Sequence, residues 1–133
     1  MATRGTYNFT NNALSGRDIC IYVHHDNYPT GAAEKLQEME KNGKVSAESF
    51  IKGNPRAEIT VGHEMHGDTE FRYDIDCATS TIECFHRKSN YNEESGEYET
   101  EWVRFYDHKI IDFITDCIFI PNHMEMPVAR LRA

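Results

Sequence analysis

Between Thr69 and Cys77 apolar and polar side chains alternate without a break, with Phe71, Tyr73, Ile75 and Cys77 on one side and Glu70, Arg72, Asp74 and Asp76 on the other. A period of two sends alternate side chains to opposite faces of an extended chain, so this stretch predicts a half-buried strand. Thr81 to Arg87, reached through a turn at Ala78 to Ser80, predicts its antiparallel partner. Glu97 to Phe105 predicts a third strand beyond a polar loop from Ser89 to Gly96. The three make a meander presenting one acidic face. Further upstream, Asp18 to His24 is dense in β-branched and aromatic residues and follows Ser15-Gly16, as a well-buried strand would.

The period changes after the turn residues Asp26 to Gly31. Ala32, Ala33, Leu36 and Met39 recur at helical spacing opposite Glu34, Lys35, Glu38 and Lys41, until Asn42-Gly43 stops them. Pro29 suits the first turn of that helix, and Thr30 is its expected N-cap. Ser46 is placed to cap a second, short helix with Phe50 and Ile51 inside, ended by Gly53-Asn54-Pro55; Ala57 to Val61 fits either helix or strand. Asp107 is the expected cap of a last helix with Ile110, Ile111, Ile114 and Cys117 inside, before Ile118 to Pro121 leads into a mobile tail from about residue 121. Both periods in one chain predict an α+β fold: an antiparallel sheet of about four to five strands packed with two to three helices. At 133 residues the chain fits one domain, 1–133, with no repeat or linker.

Composition supports this picture. Apolar residues make up 39% and charged residues 27%, the balance of a chain that buries a core. No apolar run reaches the roughly 18 to 20 residues of a membrane span, and Met1 to Phe9 lacks the apolar stretch of a signal peptide, so no membrane partner and a cytoplasmic location are expected. Cys20, Cys77, Cys84 and Cys117 form neither a CxxC clip nor a dense disulfide framework and read as buried free thiols.

Charge is unevenly placed. The net value is −8, yet Met1 to Ala57 and Trp102 to Ala133 are close to balanced, while Glu58 to Glu101 holds twelve acids against Arg72, Arg87 and Lys88. Binding to phosphates needs clustered Lys and Arg, so direct nucleic-acid binding is not expected, and a basic protein partner is.

Three clusters could carry chemistry. His24-His25-Asp26 stands at the exit of the buried strand, where polar groups reach a site or simply brace a turn. Gly62 to Asp68 sets His63, Glu64, His66 and Asp68 close together; His63 and His66 at i, i+3 with Asp68 or His24 would suit a divalent metal, although zinc proteases use i, i+4. A structural turn is the simpler reading, and no cofactor is expected. Were the two clusters to meet, His24, His25, Asp26, His63, Glu64 and His66 would form a hydrolase site with an imidazole as general base. Phosphate loops, nucleophile elbows and an activated cysteine are missing from the sequence, so a non-enzyme is the leading expectation. The third cluster is Glu93, Glu94, Glu97, Glu99 and Glu101 with Tyr98 and Trp102, read either as a surface for a cationic groove or as a charged edge strand protected from aggregation.

The segments Thr3-Arg4-Gly5-Thr6-Tyr7 and His24-His25-Asp26-Asn27-Tyr28-Pro29, with Gly31-Ala32-Ala33, resemble a group of small phage and prophage proteins. Those proteins carry a Thr-Arg-Gly type start and a His-His-Asp-Gly-Tyr-Pro type segment. Phe50 to Asn54, Arg56-Ala57-Glu58 and His63 to Tyr73 resemble a closer subset, so the likeness runs from Thr3 to Tyr73. Asn27 replaces the usual glycine, and asparagine tolerates the same positive φ. The resemblance implies a mobile-element origin and a setting in the host bacterial cytoplasm, and transfers no catalytic role. Joined to the acidic segment, it leads to an inhibitor of a bacterial defence component, anti-CRISPR-like, binding a basic host protein; a homodimer is compatible. The alternatives are the His/metal hydrolase and a binder that sequesters a nucleotide messenger through Arg4, Arg72 and the aromatics.

Overall fold

The computed structural model describes residues 3–12, 16–62 and 69–119. Its elements run β1 (Gly5–Thr10), β2 (Ile19–Val23), α1 (Pro29–Lys41), α2 (Ala47–Gly53), β3 (Glu58–Thr60), β4 (Phe71–Asp76), β5 (Thr81–Asn92), β6 (Glu97–Lys109) and α3 (Ile110–Phe119). The six strands form one sheet in the order β3-β2-β1-β4-β5-β6. Every neighbouring pair is antiparallel except β1 and β4, which run parallel from Gly5 opposite Phe71 to Thr10 opposite Asp76. The fold is therefore α+β as expected. The sheet is mixed rather than purely antiparallel, and it has one strand more than the upper expectation.

Alternation decides which face carries the helices. Tyr7, Phe9, Ile21, Phe71, Tyr73, Ile75, Ile82 and Cys84 point to one side, where Ala32, Leu36 and Met39 of α1, Phe50 of α2 and Phe113, Ile114 and Cys117 of α3 meet them in a single buried cluster. Phe50 lies 4.7 Å from Tyr7 and 5.3 Å from Phe9 between ring centroids, so α2 is pinned by aromatic contact onto the central strand. The opposite face carries Arg72, Asp74 and Asp76 on β4, Glu83 and Phe85 on β5, and Arg104 and Asp107 on β6.

Local chemistry sets the helix ends. Ser46 accepts a hydrogen bond from the Ser49 amide at 3.1 Å and starts α2, as read from the sequence. For α1 the expectation fails at one residue: the helix starts at Pro29 after Tyr28, with no side-chain cap, and the Thr30 hydroxyl is buried without a hydrogen-bond partner. Asp107 caps nothing either, because β6 runs through it to Lys109; its carboxylate accepts from Arg104 Nη1 at 3.3 Å instead. In α3 Ile110, Ile114 and Cys117 are buried as expected, while Ile111 faces outward, 58% exposed. Ala57 to Val61 resolves into the short edge strand β3. Residues beyond 119, including the tail expected from about 121, lie outside the described residues. Among the described residues no helix is long and apolar enough to cross a membrane.

All four cysteines are free thiols; Cys20, Cys84 and Cys117 are buried and Cys77 half-buried. Burial pushes the Cys20 and Cys77 thiols up from about 9 to about 11 and Cys117 to about 12, and it raises Cys84 as well. Thiolate is the reactive form. At pH 8 the native protein is therefore expected to react with a disulfide reagent about a hundredfold more slowly than the urea-unfolded chain, read as thiol release with time. Rapid release of one full equivalent from native protein would contradict this.

Candidate functional site

The segment from His24 to Tyr28 leaves β2 and enters α1 through a turn that is fixed from several sides. Asn27 is fully buried. The two N–H groups of its Nδ2 are shared among the carbonyl oxygens of Thr3 (2.8 Å), Val23 (2.8 Å) and His25 (3.1 Å), and its Oδ1 accepts from the Tyr7 hydroxyl at 2.7 Å. The Tyr73 hydroxyl donates to the Asn27 carbonyl at 2.6 Å. Tyr7 and Tyr73 stack with centroids 5.0 Å apart, so two central strands hold one turn. Positive φ falls at Asp26 (59°) and not at Asn27. Asn27 serves as a brace.

The brace leaves the neighbouring side chains free to face outward. His24 and His25 are exposed, their rings 6.2 Å apart; His24 Nε2 lies 3.5 Å from Glu58 Oε1, and its ring stands edge-on to Tyr22. Neither histidine enters the core. Together with Asp26 they line a cleft of about 570 Å³, whose other side is formed by Lys35 of α1 and by Gly53 to Arg56 after α2. Lys35 Nζ donates to the Asp26 carbonyl at 2.7 Å, and burial of the ammonium lowers its pKa, partly offset by Asp26 and Glu34. Linear reading missed Lys35 and Arg56, because neither lies near the histidines in sequence and both look like ordinary solvent-facing charges.

The second cluster, His63, Glu64, His66 and Asp68, lies outside the described residues. Among the described residues, no three His, Cys, Asp or Glu side chains converge as a metal-ligand set. Arg72, offered for a nucleotide messenger, is committed to Asp74, with Nη2 to Oδ2 at 2.9 Å, and lies over the Phe85 ring at 4.8 Å.

No family model, curated protein or solved structure matches this chain. The third cluster therefore stands on its geometry alone. β4 pairs with β5 only as far as His86, opposite Phe71, while β5 and β6 stay paired out to Asn92 opposite Glu97. Beyond Arg87 and Trp102 the two strands continue as a ribbon with the turn Glu93 to Gly96 at its tip. The polar loop expected over Ser89 to Gly96 is thus strand as far as Asn92 and a turn from Glu93 to Gly96. Register divides the ribbon into two faces. Glu97, Glu99 and Glu101 lie opposite Asn92, Asn90 and Lys88 on one face, whereas Tyr98, Thr100 and Trp102 lie opposite Tyr91, Ser89 and Arg87 on the other.

The acids of the meander are accordingly not gathered on one face, as the sequence reading had them. A bulge at Cys84/Phe85 separates the body of β5–β6 from the ribbon. In the body, Arg104 reaches both Glu83 (3.2 Å) and Asp107 (3.3 Å), and the Asp76 carboxyl is held below its usual range by hydrogen bonds from Asn11 and the Ala78 amide. In the ribbon, no ion pair among the described residues reaches Glu93, Glu94, Glu97, Glu99 or Glu101. Tyr91 and Tyr98 are 56% and 74% exposed and meet edge to face at 5.2 Å.

Proposed function

We propose that this chain is a binding protein whose β5–β6 ribbon enters a cationic groove on a partner protein. The observation that carries the reading is the ribbon itself: five carboxylates without ion-pair partners among the described residues, on a two-stranded arm that extends past the rest of the sheet. A two-stranded ribbon alone is marginal in water, so a partner that packs on it would also stabilise it. Carboxylates at the tip steer association with a cationic surface, and the exposed Tyr91 and Tyr98 supply flat apolar area for close contact. The resemblance of Thr3 to Tyr73 to phage proteins supports a partner in the host bacterial cytoplasm. In this reading the partner is a defence effector whose nucleic-acid groove the ribbon blocks, as an anti-CRISPR-like inhibitor would.

The test is the triple substitution Glu94→Gln, Glu97→Gln and Glu99→Gln in the full chain. Its capture of purified nucleic-acid-binding defence effectors is compared with wild type at low and high salt, alongside effector activity. The expected result is an association rate reduced by about tenfold or more, loss of inhibition, and wild-type binding that weakens steeply as salt rises toward about 0.5 M. β6 is also an edge strand, and charge there deters pairing between copies. If edge protection is the only role, the triple variant self-associates while effector inhibition is unchanged, and the proposal fails.

A further inference from the structure

The cleft beside His24 is independent of the ribbon and is built before any ligand arrives. One wall is the His24 to Asp26 turn, held by Asn27 as described. The opposite wall, Gly53 to Arg56, is held by Asn54, whose Nδ2 donates to the carbonyls of Lys35 (3.1 Å) and Phe50 (2.9 Å) and whose carbonyl accepts the Ala57 amide at 3.0 Å. Where α1 and α2 cross beneath it there is no slack, since a Cβ on Gly53 would lie 2.7 Å from the Glu38 carbonyl oxygen. Two asparagines thus fix both walls through the backbone, which leaves the lining side chains for something else.

That lining is nitrogen-rich in a chain of net charge −8. Among the described residues, Lys35, Arg56, His24 and His25 line the cleft with one carboxylate, that of Asp26, while Glu58 Oε1 lies 3.5 Å from His24 Nε2. The Lys35 ammonium gives one proton to the Asp26 carbonyl and has two left to donate. Its lowered pKa marks an ammonium short of solvation, which an anion would relieve. Val23 and Pro55 add apolar wall, and about 570 Å³ is far more than an inorganic anion fills but lies within the range of small-molecule sites.

We propose that this cleft binds a nucleotide-sized phosphate ester, with Lys35 and Arg56 holding the phosphate and the imidazoles of His24 and His25 flanking the organic group. It needs neither a metal nor turnover, and it uses residues other than Arg4 and Arg72. Arginine and lysine differ usefully here: Arg56 offers a planar fork to the phosphate oxygens, and Lys35 a fixed point charge already oriented by Asp26.

Calorimetric titration of the full chain with adenosine 5′-monophosphate, guanosine 5′-monophosphate, inorganic phosphate and adenosine tests this. At least one of the monophosphates is expected to bind with Kd on the order of 10⁻⁴ M or tighter, and both inorganic phosphate and adenosine at least about tenfold more weakly. Lys35→Gln and Arg56→Gln should each weaken nucleotide binding about tenfold or more while thermal unfolding shows both variants folded. A ribbon variant, Glu97→Gln, should bind as wild type. Absence of binding by both monophosphates at about 10 mM, wild-type affinity in both cleft variants, or inorganic phosphate binding as tightly as the nucleotides would each overturn the proposal.

Discussion

Asn27→Ala is expected to destabilise the protein by about 3–5 kcal/mol, measured as a shift in the urea midpoint at unchanged slope. The side chain shares its two N–H donors among three carbonyl oxygens and accepts from Tyr7, all inside the protein, and water cannot replace these contacts. The buried Tyr7 hydroxyl loses its acceptor, and the Thr3, Val23 and His25 carbonyls lose this donor, although Thr3 keeps a bond from the Asn27 amide at 3.2 Å. Leaving buried polar groups unmet costs more than the bonds were worth net. Two controls sharpen the result. Tyr7→Phe should cost less in the Asn27→Ala background than in wild type, because its partner is already gone. Asn27→Asp should be no better than alanine, since a carboxylate cannot donate to the three carbonyls it would face. A loss below about 1 kcal/mol for Asn27→Ala would mean that the turn is held by other means.

Gly31→Ala should invert the ordinary rule for helices. Alanine in place of glycine normally stabilises a helix by about 1 kcal/mol. Here a Cβ would run into the Asp26 carbonyl, meeting its oxygen and lying 2.7 Å from its carbon. Asp26 has no room to yield: it sits at φ 59°, next to Asn27, and Lys35 holds the same carbonyl oxygen. Either α1 or the turn must shift, with an expected loss of about 3 kcal/mol or more, read by thermal unfolding. The same shift would pull Asp26 away from Lys35 and abolish nucleotide binding in the cleft. A raised melting temperature would show that the close approach does not exist.

Local periodicity announced what local periodicity governs. α1 shows in Ala32, Ala33, Leu36 and Met39, β4 in Phe71, Tyr73 and Ile75, and the Ser46 cap in the position of one hydroxyl, because each depends on residues within a turn or two. β1 did not show, although it is one of the two middle strands. Gly5 to Thr10 has only Tyr7 and Phe9 to mark it, and its strand character comes from β2 and β4 on either side. Asp107 looked like a cap because Asp often is one; pairing with Glu83 of β5 outweighed that preference and carried the strand two residues further. At the candidate sites, the sequence showed His24 to Asp26 and the run of glutamates. Lys35 and Arg56 were hidden because the α1–α2 crossing brings them to the cleft. The division of the ribbon into an acidic and an aromatic face was hidden because it follows from a cross-strand register that no single strand encodes.

The parallel seam between β1 and β4 also bears on the order in which the chain can assemble. Gly5 must find Phe71 and Thr10 must find Asp76, partners separated by about half the chain's length. During synthesis β1 can settle against β2 early, yet its other border has to wait until β4 has left the ribosome, with its backbone donors and acceptors on that side still open to strangers. Closing so long a loop is slow, so the rate at which the protein matures should be set at this central junction, whereas the nearby β4–β5 and β5–β6 turns can zip by themselves.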